Sequence, residues 1–162
     1  MGDAIRLDRV FLFQDQISFL IPHEWEEEDI PDTDHYLYCP PGTDSGWLRV
    51  SLITQRGIEC PTDELLSHQE DWLDDGTVRV FREEKSGNLI KKWQKTSIEN
   101  GEPIYLYYWS VANAILPDKL LQAVFSYTIL ADRRATRENT DTVELLDELI
   151  CGATFGPPLT IQ

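Results

Sequence analysis

An α+β domain is predicted, with a central antiparallel sheet of six to seven strands and two principal helices. Three observations carry this reading. Between residues 78 and 131 four consecutive segments have strand character and are separated only by turn-forming sequences. Two other segments switch to the 3.6-residue period of a buried helix face. No internal repeat, low-complexity tract or linker interrupts the 162 residues, so residues 1–162 form a single globular domain.

The elements follow in chain order. "FLFQDQISFLIP" reads as a strand, or as a hairpin broken at Gln14-Asp15-Gln16, and Pro22 ends it. "HYLYC" is a short strand before the Pro/Gly loop "PPGTDSG". "WLRVSLITQ" places Leu48, Val50 and Leu52 on one face and Arg49 and Ser51 on the other, as in a half-buried strand. In "PTDELLSHQEDWLDDG" the spacing of Leu65, Leu66, Gln69, Trp72 and Leu73 is helical, with Thr62 or Asp63 as cap and Gly76 as stop. "VRVFREE", "LIKKWQKTSI", "IYLYYWSVANAI" and "LLQAVFSYTILA" then form an antiparallel meander. Asn100-Gly101 marks its tightest turn, because a type I′ turn needs positive φ at both central residues. On the last of these strands Leu121, Ala123, Phe125, Tyr127 and Ile129 share a face. After the polar stretch "DRRATREN" comes a final helix with Val143, Leu146, Leu149 and Ile150 on its apolar side, Thr140 as cap and Gly152 as stop. "ATF" is expected to add a short edge contact.

Five Trp, six Tyr and six Phe supply a large buried area. The formal charge of −15 argues against nucleic acid and against an anionic membrane surface, and in favour of a basic protein partner. Three separated cysteines, Cys39, Cys60 and Cys151, make a poor disulfide framework and fit a reducing cytoplasm. The opening residues lack the basic and apolar regions of a signal peptide, and no apolar run approaches the ~20 residues that span a bilayer.

The densest cluster of chemistry-bearing side chains is "IPHEWEEEDIPDTDHYLYC". "HEWEE" begins like the zinc-protease motif, but Glu27 stands where the second histidine is needed. His35 and Cys39 lie about 13 Å apart on an extended strand, too far to share a metal ion. The carboxylates follow no calcium-loop pattern, and Pro31 interrupts them. Neither a metal nor a cofactor is expected. A solvated acidic turn that docks a partner through Glu26, Glu27, Glu28, Asp29, Asp32 and Asp34 is favoured. Trp25 reads as a core anchor, and Cys39 and Cys151 as small core residues. Cys60 precedes the first helix, but its nearest histidine, His68, is about 12 Å away along that helix, so no thiol catalysis is indicated. No nucleophile elbow, phosphate loop or dinucleotide fingerprint appears.

Two further features bear on binding. Lys91, Lys92 and Lys95 surround Trp93, a basic spot that either solvates a strand or meets the acidic loop of a second copy in a homodimer. Tyr105, Tyr107 and Trp109 share one face of a long strand. That is the composition of a binding hot spot, and equally of the surface beneath a covering helix, which is favoured.

"ISFLIPHEW" at the start, and "AVFSYTILA" followed by "VELLDELICGATF" at the close, resemble the PsbP-like group that includes the Ran-binding Mog-like proteins. The resemblance implies an α/β/α sandwich around an antiparallel sheet. Members act mostly by binding other proteins, as accessory subunits, a GTPase-binding factor or chaperone-adaptors, and share no catalytic motif. The expectation is therefore a cytoplasmic, non-catalytic protein-binding module of accessory, chaperone-adaptor or immunity type. The alternative is a small-ligand-binding protein or unrecognised enzyme, with an aromatic pocket between sheet and helix lined by Tyr105, Tyr107 and Trp109.

Overall fold

The computed structural model describes residues 5–28, 34–42, 46–71 and 78–156. Among these residues ten strands run in chain order: β1 (Leu7–Leu12), β2 (Ile17–Pro22), β3 (Glu26–Glu28), β4 (His35–Cys39), β5 (Trp47–Gln55), β6 (Arg79–Arg82), β7 (Leu89–Glu99), β8 (Glu102–Ile115), β9 (Lys119–Leu130) and β10 (Thr154–Phe155). Helix α1 (Pro61–Asp71) lies between β5 and β6, and α2 (Arg137–Cys151) between β9 and β10. The strands form a seven-stranded antiparallel sheet, ordered β3-β4-β5-β9-β8-β7-β6, and a three-stranded sheet, ordered β1-β2-β10. The predicted meander is β6 to β9, and "ATF" supplies the strand that pairs with β2.

Alternation sorts the side chains into two cores. Tyr105, Tyr107, Trp109 and Val111 of β8, with Ala123, Phe125, Tyr127 and Ile129 of β9, turn one face toward α2 and the small sheet. Phe19 and Ile17 of β2 and Leu146 and Ile150 of α2 meet them there. On the opposite face, Leu89, Ala112 and Leu120 pack against Leu65 of α1. The two helices therefore cover opposite faces, and α1 covers only one end of its own.

Some boundaries differ from expectation. The first hairpin leaves the main sheet to form the second sheet, and its turn runs through Phe13, Gln14 and Asp15, all at positive φ. Helix α1 starts at Pro61, so Thr62 and Asp63 lie inside its first turn; proline suits that position because the missing N–H has no partner there anyway. Trp72, Leu73 and Gly76 lie outside the described residues. Helix α2 begins a turn early: its cap is Thr136, whose Oγ1 accepts from the Asn139 amide at 3.2 Å, and Thr140 is a helical residue. Gly152 stands at its stop as predicted. The β7–β8 turn has Asn100 at φ 53° and Gly101 at φ 80°, the type I′ signature.

Candidate functional site

Within the acidic stretch, Glu24 lies in a turn and the next carboxylates, Glu26 to Glu28, are extended. Glu26, Glu27 and Glu28 form β3 at one end of the seven-stranded sheet, in register with Cys39, Tyr38 and Leu37 of β4. Backbone pairing with β4 requires extended geometry, and three consecutive carboxylates tolerate it because each side chain stays exposed. Alternation divides them. Glu27 lies beside Tyr38, whose hydroxyl donates to Glu27 Oε1 at 2.8 Å; burial, and then Glu27, push the Tyr38 phenol well above its ordinary range. Glu26 and Glu28 flank Cys39 on the other face, where burial and then the two carboxylates raise the thiol pKa. Asp34 is exposed just before β4. Asp29 and Asp32 lie outside the described residues.

Tyr105, Tyr107 and Trp109 share a face and sit beneath α2, at 6%, 8% and 3% exposure. Tyr107 accepts from Asn139 Nδ2 at 3.0 Å, and Trp109 Nε1 donates to Asp147 Oδ1 at 3.0 Å. Tyr105 is bonded to Gln94 and has the Arg134 guanidinium over its ring, 4.3 Å from the centroid. The lysine spot is split between faces. Lys92 reaches over the α2 side to Asp147 at 2.7 Å. Lys91 and Lys95 turn to the other side, above the stacked rings of Trp93 and Tyr108.

A separate cleft lies at the N-terminal end of α2. This cleft of about 770 Å³ is enclosed by the β2–β3 turn, the β4–β5 loop, the end of β9 and the first turns of α2. Its apolar walls are Pro22, Trp25, Pro40, Tyr127, Ile129 and Leu145. The turn is fixed by the Trp25 amide donating to the Pro22 carbonyl at 3.0 Å, which lays the indole against Tyr127 with centroids 6.0 Å apart. Trp25 is thus the partly buried anchor expected, and also a cleft wall. Gly46 presses onto β9 so closely that a Cβ would stand 2.3 Å from the Thr128 carbonyl oxygen. Burial pushes the Tyr127 phenol up to about 12, against a backbone hydrogen bond with Gly46 that lowers it.

Asn139 lines the cleft and was missed in the sequence. Its Nδ2 donates to the Tyr107 hydroxyl and, at 3.1 Å, to the Arg134 carbonyl. The Arg134 carbonyl only accepts, so the amide nitrogen must face it and the orientation of the side chain is set. Oδ1 is then buried without a hydrogen-bond partner among the described residues. The signal available in sequence was Thr136-x-x-Asn139, a cap followed by a polar residue at a core-facing position.

Among the described residues, no group of three or more His, Cys, Asp or Glu side chains could hold a metal ion. His23 instead pairs with Asp8 at 2.6 Å. Cys60 is exposed ahead of α1, Cys39 and Cys151 are half-buried, and burial followed by Asp147 pushes Cys151 up to about 11. No helix among these residues is long and apolar enough to cross a membrane.

No family model and no curated protein matches the sequence. Solved structures do match. The Ran-binding protein Mog1p of Saccharomyces cerevisiae superposes with a TM-score of 0.57 at 11% identity, covering 95% of this chain and 97% of its own. The fold is Mog-like. A second neighbour is LpqN of Mycobacterium tuberculosis, described as involved in cell envelope biogenesis, with a TM-score of 0.61 at 14% identity over 96% of this chain and 93% of that one. A third is a Bacteroides thetaiotaomicron protein, with a TM-score of 0.60 at 11% identity; 91% of this chain matches 48% of it, so this chain spans about half its length. At these identities the likeness concerns the Mog-like fold, and no site residue is carried across.

Proposed function

We propose that this chain is a non-catalytic, cytoplasmic protein-binding module that docks a basic segment of a partner protein along the β3 edge. The observation that carries the reading is the position of Glu26, Glu27 and Glu28: all exposed, on an end strand whose outer side pairs with no strand among the described residues. A free edge offers backbone N–H and C=O groups to an incoming extended segment. The alternating carboxylates would meet Lys or Arg side chains on either face of that added strand. Asp34, and the neighbouring Asp29 and Asp32 of the same run, extend the acidic field, and the −15 charge steers a basic partner toward it. The Ran-binding role of Mog1p is consistent with a protein-binding use of this fold.

The test is charge reversal at Glu26 and Glu28, leaving Glu27 to its bond with Tyr38. Wild-type protein immobilised in native lysate should retain a basic protein at low salt and shed it at high salt. The Glu26→Lys/Glu28→Lys protein should retain at least about tenfold less, with its melting temperature unchanged. Equal retention by both proteins at low salt would refute the edge-docking reading.

A further inference from the structure

We propose that the cleft at the N-terminal end of α2 binds an uncharged small molecule with a compact apolar body, which donates an O–H or N–H hydrogen bond to Asn139 Oδ1. This goes beyond the edge-docking reading and does not depend on it.

Three independent properties specify the ligand. The first is the orphaned acceptor. Asn139 is 6% exposed, both hydrogens of its amide are used, and Oδ1 has no donor among the described residues. Buried polar atoms are normally paired, so a donor arriving from the cleft would complete the group's hydrogen bonding. The second is the lining. The buried surface is Pro22, Tyr127 and Ile129, joined by the half-buried Trp25 and Leu145; this suits an apolar body, and a flat ring can rest against the indole. The volume of about 770 Å³ is of the size that encloses a small organic molecule.

The third is charge. Arg6, Glu24, Arg133 and Glu138 all line the cleft and all are exposed, so charge is confined to the rim. Among the described lining residues two cations stand with two anions, and His23 is paired to Asp8, although the chain as a whole carries −15. A charged ligand entering between them would lose hydration without meeting a net opposite charge. The first turn of α2 adds the positive end of its dipole, which offsets the carboxylates against a cationic ligand. An uncharged donor is what remains.

The experiment follows the Trp25 indole N–H and the Asn139 side-chain amide by protein-observed NMR during titration with five probes of one ring size. Benzyl alcohol and benzamide carry a donor and no charge; methyl benzoate lacks the donor; benzoate and benzylammonium are charged. Expected are saturable shifts at both signals, with the two uncharged donors binding about tenfold more tightly than the other three. Asn139→Leu should bring benzyl alcohol down to the level of methyl benzoate. Because that variant also loses two structural hydrogen bonds, Thr142→Trp provides a second arm: it fills the cleft from a partly exposed position, leaves Asn139 intact, and should remove binding of every probe. Absence of saturable shifts with benzyl alcohol would overturn the proposal. So would equal affinity for the ester or the charged probes, or binding unchanged by Thr142→Trp.

Discussion

Replacing Asp147 should separate two contributions that one carboxylate oxygen makes. Asp147 Oδ1 accepts from Trp109 Nε1 at 3.0 Å and from Lys92 Nζ at 2.7 Å. Trp109 is 3% exposed, so Asp147→Ala leaves a buried indole N–H without its partner, at a cost of about 1–3 kcal/mol. The lysine pair is partly open, with side-chain exposures of 26% and 38%, so solvent screening limits its loss to about 0.5–1 kcal/mol. Asp147→Ala should therefore cost about 1.5–4 kcal/mol in total. Asp147→Asn keeps an oxygen for the indole and removes only the charge, costing about 0.5–1 kcal/mol, and Lys92→Met should match it. In a chain of this size Asp147→Ala then lowers the melting temperature by roughly 3–16 °C. Urea unfolding followed by circular dichroism reads the differences as midpoint shifts at constant slope. If Asp147→Asn proves as costly as Asp147→Ala, the ion pair and not the indole carries the energy, and the reasoning fails.

Other outcomes follow from close approaches, capping and burial. Gly46→Ala would place a methyl 2.3 Å from the Thr128 oxygen and 2.7 Å from Ile129 Cγ2. It should cost about 3 kcal/mol or more, and a melting temperature within a degree of wild type would show that the loop yields. Thr136→Ala removes the cap of α2 and should cost about 1 kcal/mol in denaturant midpoint, with Thr136→Ser recovering most of it. Alkaline pH should weaken the fold. Tyr127 and Cys151 are raised from 10.0 and 9.0 to about 12 and about 11, so between those values the unfolded chain has released protons that the folded chain retains. Stability present below pH 9 is then lost progressively as pH rises toward 12, and Tyr127→Phe should make the decline shallower in a pH series of unfolding curves.

The sheet was legible because period-2 alternation survives in long strands: Leu121 to Ile129 and Tyr105 to Trp109 turn the predicted sides inward. The early strand "FLFQDQISFLIP" was recognised but not its sheet, since pairing with β10 depends on contacts across more than a hundred residues, which periodicity cannot report. Glu26 to Glu28 read as part of a turn because glutamate disfavours strands; at a sheet edge, backbone pairing with β4 outweighs that local preference. The first turn of α2 was missed for a related reason. Its inward-facing residue is Asn139, and an apolar stripe begins only at Val143. The cleft was invisible for the same cause, being built from a turn, a loop and a helix start that meet only in three dimensions. Trp25 was singled out, but its neighbour Tyr127 lies a hundred residues away.

The small sheet also sets an order of assembly on the ribosome. Its central strand, β2, emerges early, yet one of its two neighbours is β10, and the helix that packs on it immediately precedes that strand. At ordinary synthesis rates the apolar face of Ile17, Phe19 and Ile21 must wait on the order of ten seconds for α2 and β10 to follow. During that interval the apolar face of β2 has neither α2 nor β10 to cover it, and the main-sheet pairing of β5 with β9 is delayed for much of the same time.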